Sequence, residues 1–495
     1  VQVTFGARAA LPAQYAITIV LVAVCFLLRW ELPWHGFSFF LFVPAVLLGA
    51  ALFGKGPAIF AVALTVAVAT FFWLDPIYSF WITPHQVPPL ALYILLCIGI
   101  VGLCEWTRAG LQRRMSGAAA GAPASNRPRF EGLDFWRGFV LCTIFADHIP
   151  GNIFENFTYR NFGFSDAAEA FVFLSGVSLA LAYGRKFSGG RRLVVVFALL
   201  RRALKLYCVH IALSLAAIAI FAAGSLVWRA PELLTEHGRD LFVADAGLCL
   251  TGIVSLGHQL GYFNILPLYI VLITLVPVYL WLAGFDRRLM LATSAVIYAG
   301  ARLFAWDLPS WPIPGGWFFN PLTWQLMMAI GIAVGIELAR GGTIARSTAC
   351  TIGAAAVVLL GLLVATDGFG GTLGGWGRVR GWLDLDKTSL GLFRLVHFLA
   401  LAYLVEASGV THRLRASVLF SPLSVLGRHS LLVFSLLSLF AAAGQVLVVT
   451  VRTTAWFDLP LVGGGIILLV CAARLAEAGS LFQQPLVGSA IHGRA

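Results

Sequence analysis

One stretch of the chain, GLDFWRGFVLCTIFADHIPG at residues 132–151, sets a cation and an imidazole into an otherwise apolar run. Ten residues separate Arg137 from His148. Eleven steps of an α-helix are close to three full turns, so both side chains project from nearly one face, about 16–17 Å apart along the axis. Asp134 lies one turn before Arg137, and Asp147 is adjacent to His148. An imidazole at the end of such a helix is suited to take a proton from a hydroxyl. The plainer account is snorkelling of each polar side chain toward its own end of the helix. The next apolar run opens SDAAEAFVFLSG and puts Asp166 and Glu169 at i and i+3, on one face. They either orient His148, as carboxylate partners do for a catalytic His, or form an ion pair with another helix.

The densest basic cluster follows in GRKFSGGRRLVVVFALLRRALKLYCVH, with Arg185, Lys186, Arg191, Arg192, Arg201, Arg202 and Lys205. Orientation in a membrane needs only a few of these, and the surplus suits phosphates, either of anionic lipid or of a nucleotide-bearing donor. Charge alone does not separate the two. Later runs add Lys387, Arg394 and His397, then Arg428 and His429. Arg394 and His397 are one helical turn apart, and such a pair inside an apolar helix belongs in a bundle interior. Asn264, Pro267, Asn320 and Gln325 are candidates for lining the same interior.

The elements that carry these residues are set by composition. The 495-residue chain is 60% hydrophobic and only 11% charged, where soluble domains carry about a quarter. Its apolar runs are long enough to cross a bilayer as helices. The pattern gives an all-α integral membrane protein of about fourteen spans, near 14–30, 37–53, 57–74 and 89–106, then 134–150, 166–184, 204–224, 262–283, 288–305, 320–339, 348–366, 387–407, 421–450 and 457–475. The first run lacks a basic leader and a small-residue cleavage site, so it reads as a retained helix. A hydrophilic Gly/Ala/Pro/Ser tract divides the chain into a four-helix part at 1–106, a cytoplasmic linker at 107–129 and a ten-helix part at 130–495. With both termini in the cytoplasm, about 22 of the 34 Lys and Arg fall on the cytoplasmic side and about nine on the other. The net charge of +12 is then mostly topology, and nucleic-acid binding is not needed to explain it. The eight cysteines show no CxxC or Cys/His ligand spacing, so no metal site is indicated.

Two periplasmic loops exceed what connection needs, Ser225–Gly261 and the Gly- and Trp-rich Asp367–Asp386. Trp376 and Trp382 suit either stacking on sugar rings or interfacial anchoring.

At this point a family resemblance becomes specific. LDFWRG followed by DHIPG, SDAAEAFVFLSG, RRALKLY, NILPLY, FNPLTWQ, KTSLGLFRLVHFLALAYLV and LGRHSLLVFS occur in the order seen in OpgC-type proteins. That family is the C component of osmoregulated periplasmic glucan biosynthesis, a succinyltransferase group within the acyltransferase-3 superfamily. The superfamily's Arg, ten-residue gap and His in the first helix match Arg137 and His148. The first four spans, with FFLFVPAVLLGAALFGKGPAIFAVALTVAVATFFWLDPIYSFWI and the exit sequence EWTR, resemble the four-helix membrane domain of KdpD-like sensor kinases. No kinase-type sequence follows, so this part reads as an accessory module.

The resemblance implies an O-acyltransferase of the bacterial inner membrane that passes an acyl group, succinyl in this family, from cytoplasmic acyl-CoA to hydroxyls of a periplasmic glucan. Acyl-CoA is a co-substrate on this reading, with no permanently bound cofactor. His148 then acts as base, flanked by Asp147, with its tautomer fixed by Asp166 or Glu169. Arg137 holds the thioester or pantetheine arm, with Asp134, Arg394, His397 and Arg428 around the substrate. Arg394 or Arg428 steadies a succinyl carboxylate by bidentate pairing. Arg185, Lys186, Arg201, Arg202 and Lys205 hold the donor's phosphates. A transporter that moves glycan or lipid without chemistry is the alternative class, since intramembrane charges serve transport as well. A base at the periplasmic mouth is what distinguishes the enzyme. A membrane sensor, suggested only by the first four spans, lacks a signalling domain.

Overall fold

Long runs of Leu, Ala, Val and Ile fold as helices in a membrane because every backbone N–H and C=O must be paired within its own segment. The computed structural model describes residues 11–31, 42–87, parts of 90–105, 130–367, 379–452 and 454–481, and these hold helices and no strand. Eight of the described helices are long and apolar enough to cross a membrane. This is a multi-pass membrane protein. Several of the fourteen expected spans fall short of that measure, among them Glu131–Asp147 with 17 residues and Leu392–Ala407 with 16. The expected spans 37–53 and 89–106 lie partly outside the described residues, and the linker 107–129 wholly so.

The chain divides into two compact units. One holds the described residues before Asn126 together with Ala244–Leu250, and the other holds Arg127–Val243 and Thr251–Leu481. In the first, helices α1 (Leu11–Glu31), α2 (Val43–Phe53) and α3 (Lys55–Trp73) pack together, with Gly54 at φ 94° making the turn between α2 and α3. Their contact is aromatic, with Phe26 5.1 Å from Phe72 and 5.2 Å from Trp73.

The second unit contains α4 (Glu131–Asp147), α5 (Ala167–Ser188), α6 (Arg192–Trp228), α7 (Ile265–Phe285), α8 (Arg287–Leu303), α9 (Pro321–Ala339), α10 (Thr348–Ala365), α11 (Leu392–Ala407), α12 (Phe420–Arg428), α13 (Ser430–Thr450) and α14 (Gly464–Leu481). Two boundaries differ from the sequence expectation. The single span expected at 421–450 is broken at His429 (ψ 32°) into α12 and α13. The span expected to start at 387 starts instead at Leu392, whose backbone N–H is capped by Asp384 Oδ2 at 2.8 Å.

Glycine sets the two tightest helix crossings. A Cβ on Gly138 of α4 would collide with the Leu423 carbonyl of α12, and one on Gly427 of α12 would collide with the Asp134 carbonyl of α4. The most extensive packing, α5 against α9, uses Gly176 and Gly331 in the same way, against Met328 and Phe173 carbonyls. Small residues at a crossing let two backbones approach, which is the main route to tight packing where lipid is as apolar as a side chain. These crossings fix α4 and α5, the helices that carry the candidate site.

Candidate active site

Helix α4 ends at His148, and the chain turns there because Asn152 satisfies both sides of the break. Its amide donates to the Ala146 and Ile149 carbonyls at 2.7 and 2.5 Å, while its carbonyl accepts from Phe154 N and Glu155 N at 2.9 and 3.2 Å. The His148 backbone is tied at both ends, its N–H to Ile144 O at 2.9 Å and its carbonyl to Gln445 Nε2 at 2.8 Å. Its side chain is half-buried, and Nδ1 has no hydrogen-bond partner among the described residues. The charged groups whose fields reach the ring are Lys387, Asp166 and Arg160. The Tyr262 ring packs against it with centroids 5.0 Å apart.

Asp147, expected beside the base, is held by Thr158 Oγ1 at 2.8 Å and by Arg160 Nε at 3.3 Å. Between them, the Tyr159 hydroxyl is buried without a partner among the described residues. Burial, and then the nearby Asp166, Glu169 and Asp147 carboxylates, push that phenol well above its ordinary range.

Asp166 and Glu169 open α5 as a reciprocal cap: Asp166 accepts from Ala168 N at 2.8 Å, and Glu169 accepts from Asp166 N at 2.9 Å. The sequence left two readings, an orienting partner for His148 or an ion pair with another helix. In the structure they pair with cations. Arg394 Nε donates to Glu169 Oε1 at 2.7 Å and its Nη2 to Asp166 Oδ2 at 3.2 Å, while Lys387 Nζ lies 2.6 Å from Asp166 Oδ2. The reason is charge. Glu169 is fully buried, and a buried carboxylate needs a cation more than it needs a neutral imidazole.

Lys387 reaches Asp166 because residues 384–391 are pinned rather than helical. Arg302 lies 2.6 Å from Asp384 and also bonds Ser389, Tyr298 donates to Leu390 O at 2.8 Å, and the buried Trp324 donates to the Lys387 and Thr388 carbonyls at 3.2 and 3.1 Å. Asp386 closes the turn onto Thr388 and Ser389. Burial raises its carboxyl, but those hydrogen bonds outweigh it and hold the group below its usual range.

The remaining sequence candidates separate. His397 is buried, with Nδ1 2.9 Å from Ser165 Oγ, and its ring is enclosed by Gly163 and Gly361. Arg428 pairs with Glu477 of α14 at 2.8 Å. Arg394 and Arg428, which the sequence reading offered to a substrate carboxylate, are each already paired with a carboxylate of the chain, while the buried Nε of Arg428 has no partner among the described residues. Arg185 bonds the Ala339 carbonyl, and Lys186, Arg201 and Lys205 are exposed. Arg202 alone of that cluster turns into the bundle, donating to Tyr269 Oη of α7 at 3.3 Å with Tyr183 of α5 as a second partner. Half-buried Arg137 shares this neighbourhood, with Tyr269, Arg202 and Asp134 as its electrostatic neighbours.

Of the residues grouped here, sequence reasoning singled out His148, Asp166, Glu169, Arg394, Arg137 and Arg202. It missed Tyr159, Arg160 and Tyr262, which sit in irregular segments where no periodicity marks them, and it gave Lys387 no role. Trp376 lies outside the described residues, and Trp382 is 88% exposed.

Comparison with known proteins matches two parts of the chain. A family model described as OpgC protein matches residues 129–480, and a domain of unknown function, DUF4118, matches residues 15–119. The latter is the domain found in KdpD-like sensors. A search of the curated proteins finds no match.

Proposed function

Because the chain belongs to the OpgC protein family, we propose that it transfers a succinyl group from cytoplasmic succinyl-CoA to a hydroxyl of a periplasmic glucan, within the bacterial inner membrane. Membership supports the coarse class, a membrane glucan-modifying acyltransferase. The observation that carries the finer reading is His148, with an unpartnered Nδ1, on the same helix as Arg137.

In this reaction His148 takes the proton from the glucan hydroxyl as that oxygen attacks the acyl carbonyl. A C–O bond forms, the thioester C–S bond breaks, and the imidazolium returns the proton to the departing thiolate. Proton transfer of this kind contributes roughly 10²–10⁴-fold. Lys387, whose field reaches His148, stabilises negative charge as it develops on the carbonyl oxygen. Asp166, Glu169 and Arg394 set the wall against which Lys387 stands. At the other end of the helix, Arg137 and Arg202 gather positive charge around Tyr269 and receive the donor's phosphates. The lengths agree. A phosphopantetheine arm has roughly fourteen bonds from phosphorus to the acyl carbon, about 16 Å when extended as a backbone extends. Arg137 and His148 are about 16–17 Å apart along the helix.

The test is mass spectrometry of periplasmic glucans from cells with the protein, without it and with His148→Ala. Succinyl-bearing glucan that disappears in the latter two supports the reading. An unmodified glucan in all three would refute the enzyme, and near-normal substitution with His148→Ala would refute the base.

A further inference from the structure

The carboxylates expected to orient His148 are committed elsewhere, and its Nδ1 has no partner among the described residues. The backbone is fixed on both sides, which leaves the side-chain torsions to be set by packing. The ring that packs on the imidazole is Tyr262, 5.0 Å between centroids and inclined by 57°. Tyr262 in turn meets the His237 ring, again at 5.0 Å and inclined by 64°.

The segments that bring these rings together are strained. Tyr262 has φ 70° and His237 has φ 57°, both in the left-handed region that residues with a Cβ seldom adopt. Such conformations persist where the surroundings over-determine them, and they gather at functional sites. The surroundings here are specific. Gly261 N donates to His237 O at 2.9 Å, and a Cβ on Gly261 would lie 2.6 Å from His237 Cβ. His258 Nε2 bonds Gly238 O at 2.8 Å, Trp311 N donates to Gly257 O at 3.1 Å, and buried Arg239 stacks over Phe221 of α6 at 3.9 Å. All of this locking converges on one aromatic ring laid against the candidate base.

We propose that Tyr262 is the positioning residue for His148: its ring, buttressed by His237 and a left-handed backbone, sets the plane in which the imidazole meets the acceptor hydroxyl. This deepens the reading of His148 as base and rests on it. A tilted aromatic pair restricts rotation without consuming either ring nitrogen, so both nitrogens stay available for proton transfer. The role belongs to the ring rather than to the hydroxyl. The charged groups around the pair are Lys387, Asp166 and Arg160 toward His148, with Arg160, Glu155, Arg239 and Glu236 toward Tyr262.

The experiment compares Tyr262→Phe, Tyr262→Leu and Tyr262→Ala in the full-length protein in detergent. Two readouts are used: acyl-transfer kinetics across pH, and the rate at which diethyl pyrocarbonate modifies His148, followed by peptide mass spectrometry. Misplacement of a reacting group by about 1 Å costs on the order of 100-fold. Tyr262→Phe keeps kcat and the labelling rate. Tyr262→Leu and Tyr262→Ala lose about 10- to 100-fold in kcat with little change in acceptor KM, displace the acid limb of the pH profile, and label His148 several times faster. Leu fills the space, so it gives a folded protein even where Ala does not. Folded Tyr262→Leu with normal kcat, or with His148 labelled at the original rate, overturns the proposal. If His148→Ala keeps activity, the base assignment fails by itself, while the labelling rate still decides whether Tyr262 holds the ring.

Discussion

Arg394→Met separates a structural ion cluster from a substrate ligand. The cluster holds two carboxylates and two cations: Asp166 and Glu169 against Arg394 and Lys387. Removing Arg394 leaves Asp166 with Lys387 at 2.6 Å and the Ala168 N–H at 2.8 Å. Glu169 fares worse. It is fully buried, loses both Arg394 contacts at 2.6 and 2.7 Å, and keeps the single N–H of Asp166 at 2.9 Å. Breaking a buried pair in this way costs about 3–5 kcal/mol, because one charge is stranded. The assay is the fraction of monodisperse protein left after heating in detergent, read by size-exclusion chromatography. Arg394→Met lowers the midpoint by several degrees, and adding Glu169→Gln recovers part of the loss by removing the stranded charge. The coupling between the two sites is of order 0.5–3 kcal/mol. An unchanged midpoint in Arg394→Met, together with a raised KM for the acyl donor, would refute this reasoning and return Arg394 to the substrate-carboxylate role suggested by sequence.

Arg202→Ala raises the donor KM about tenfold or more, the loss of one charge-assisted contact worth about 1.5–3 kcal/mol. Paired Arg201→Ala and Lys205→Ala, on exposed positions, change it little; equal effects in steady-state kinetics would dissolve the distinction. Cysteine placed at exposed Trp382 reacts with an impermeant maleimide in intact cells, while cysteine at Ser188 does not. The reverse pattern would invert the protein and remove the periplasmic acceptor.

The helices were legible because period and length are enforced by the membrane. Once backbone polar groups must be paired internally, an apolar run has only one shape, and the bounds of α5, α7 and α9 fall within a few residues of the expected spans. The irregular segments were not legible. Nothing in the local pattern of Asp384–Gly391 says that Arg302, Tyr298 and Trp324, residues distant in sequence, hold it as a turn that presents Lys387. The same holds for Tyr262, which reaches His148 only through tertiary locking of its loop. At the candidate site, sequence named most of the charged groups but not their partners. Asp166 and Glu169 at i and i+3 fit an imidazole and an arginine equally well, and only burial decides between them.

That decision also locates where an anionic substrate belongs. A site with matched charge has no electrostatic demand for a resident anion such as the donor's phosphates, beyond the transient charge that Lys387 meets in the reaction, and the Asp166, Glu169, Arg394, Lys387 cluster is matched. The two arginines near Tyr269 are not. Arg202 donates to Tyr269, and Arg137 lies within the field of both, with Asp134 supplying one carboxylate against two cations. In a low-dielectric interior an unbalanced cation pair is costly, and proteins retain such pairs where a ligand completes them. For the reaction proposed above, this puts the donor's negative charge at the Arg137 end of α4 and the neutral sugar hydroxyl at the His148 end. Because Gly138 and Gly427 press α4 against α12 with no room for a Cβ, the helix is a rigid spacer between the two. A donor whose reactive carbonyl is nearer to its phosphates than a pantetheine arm allows would bind at Arg137 and leave His148 out of reach.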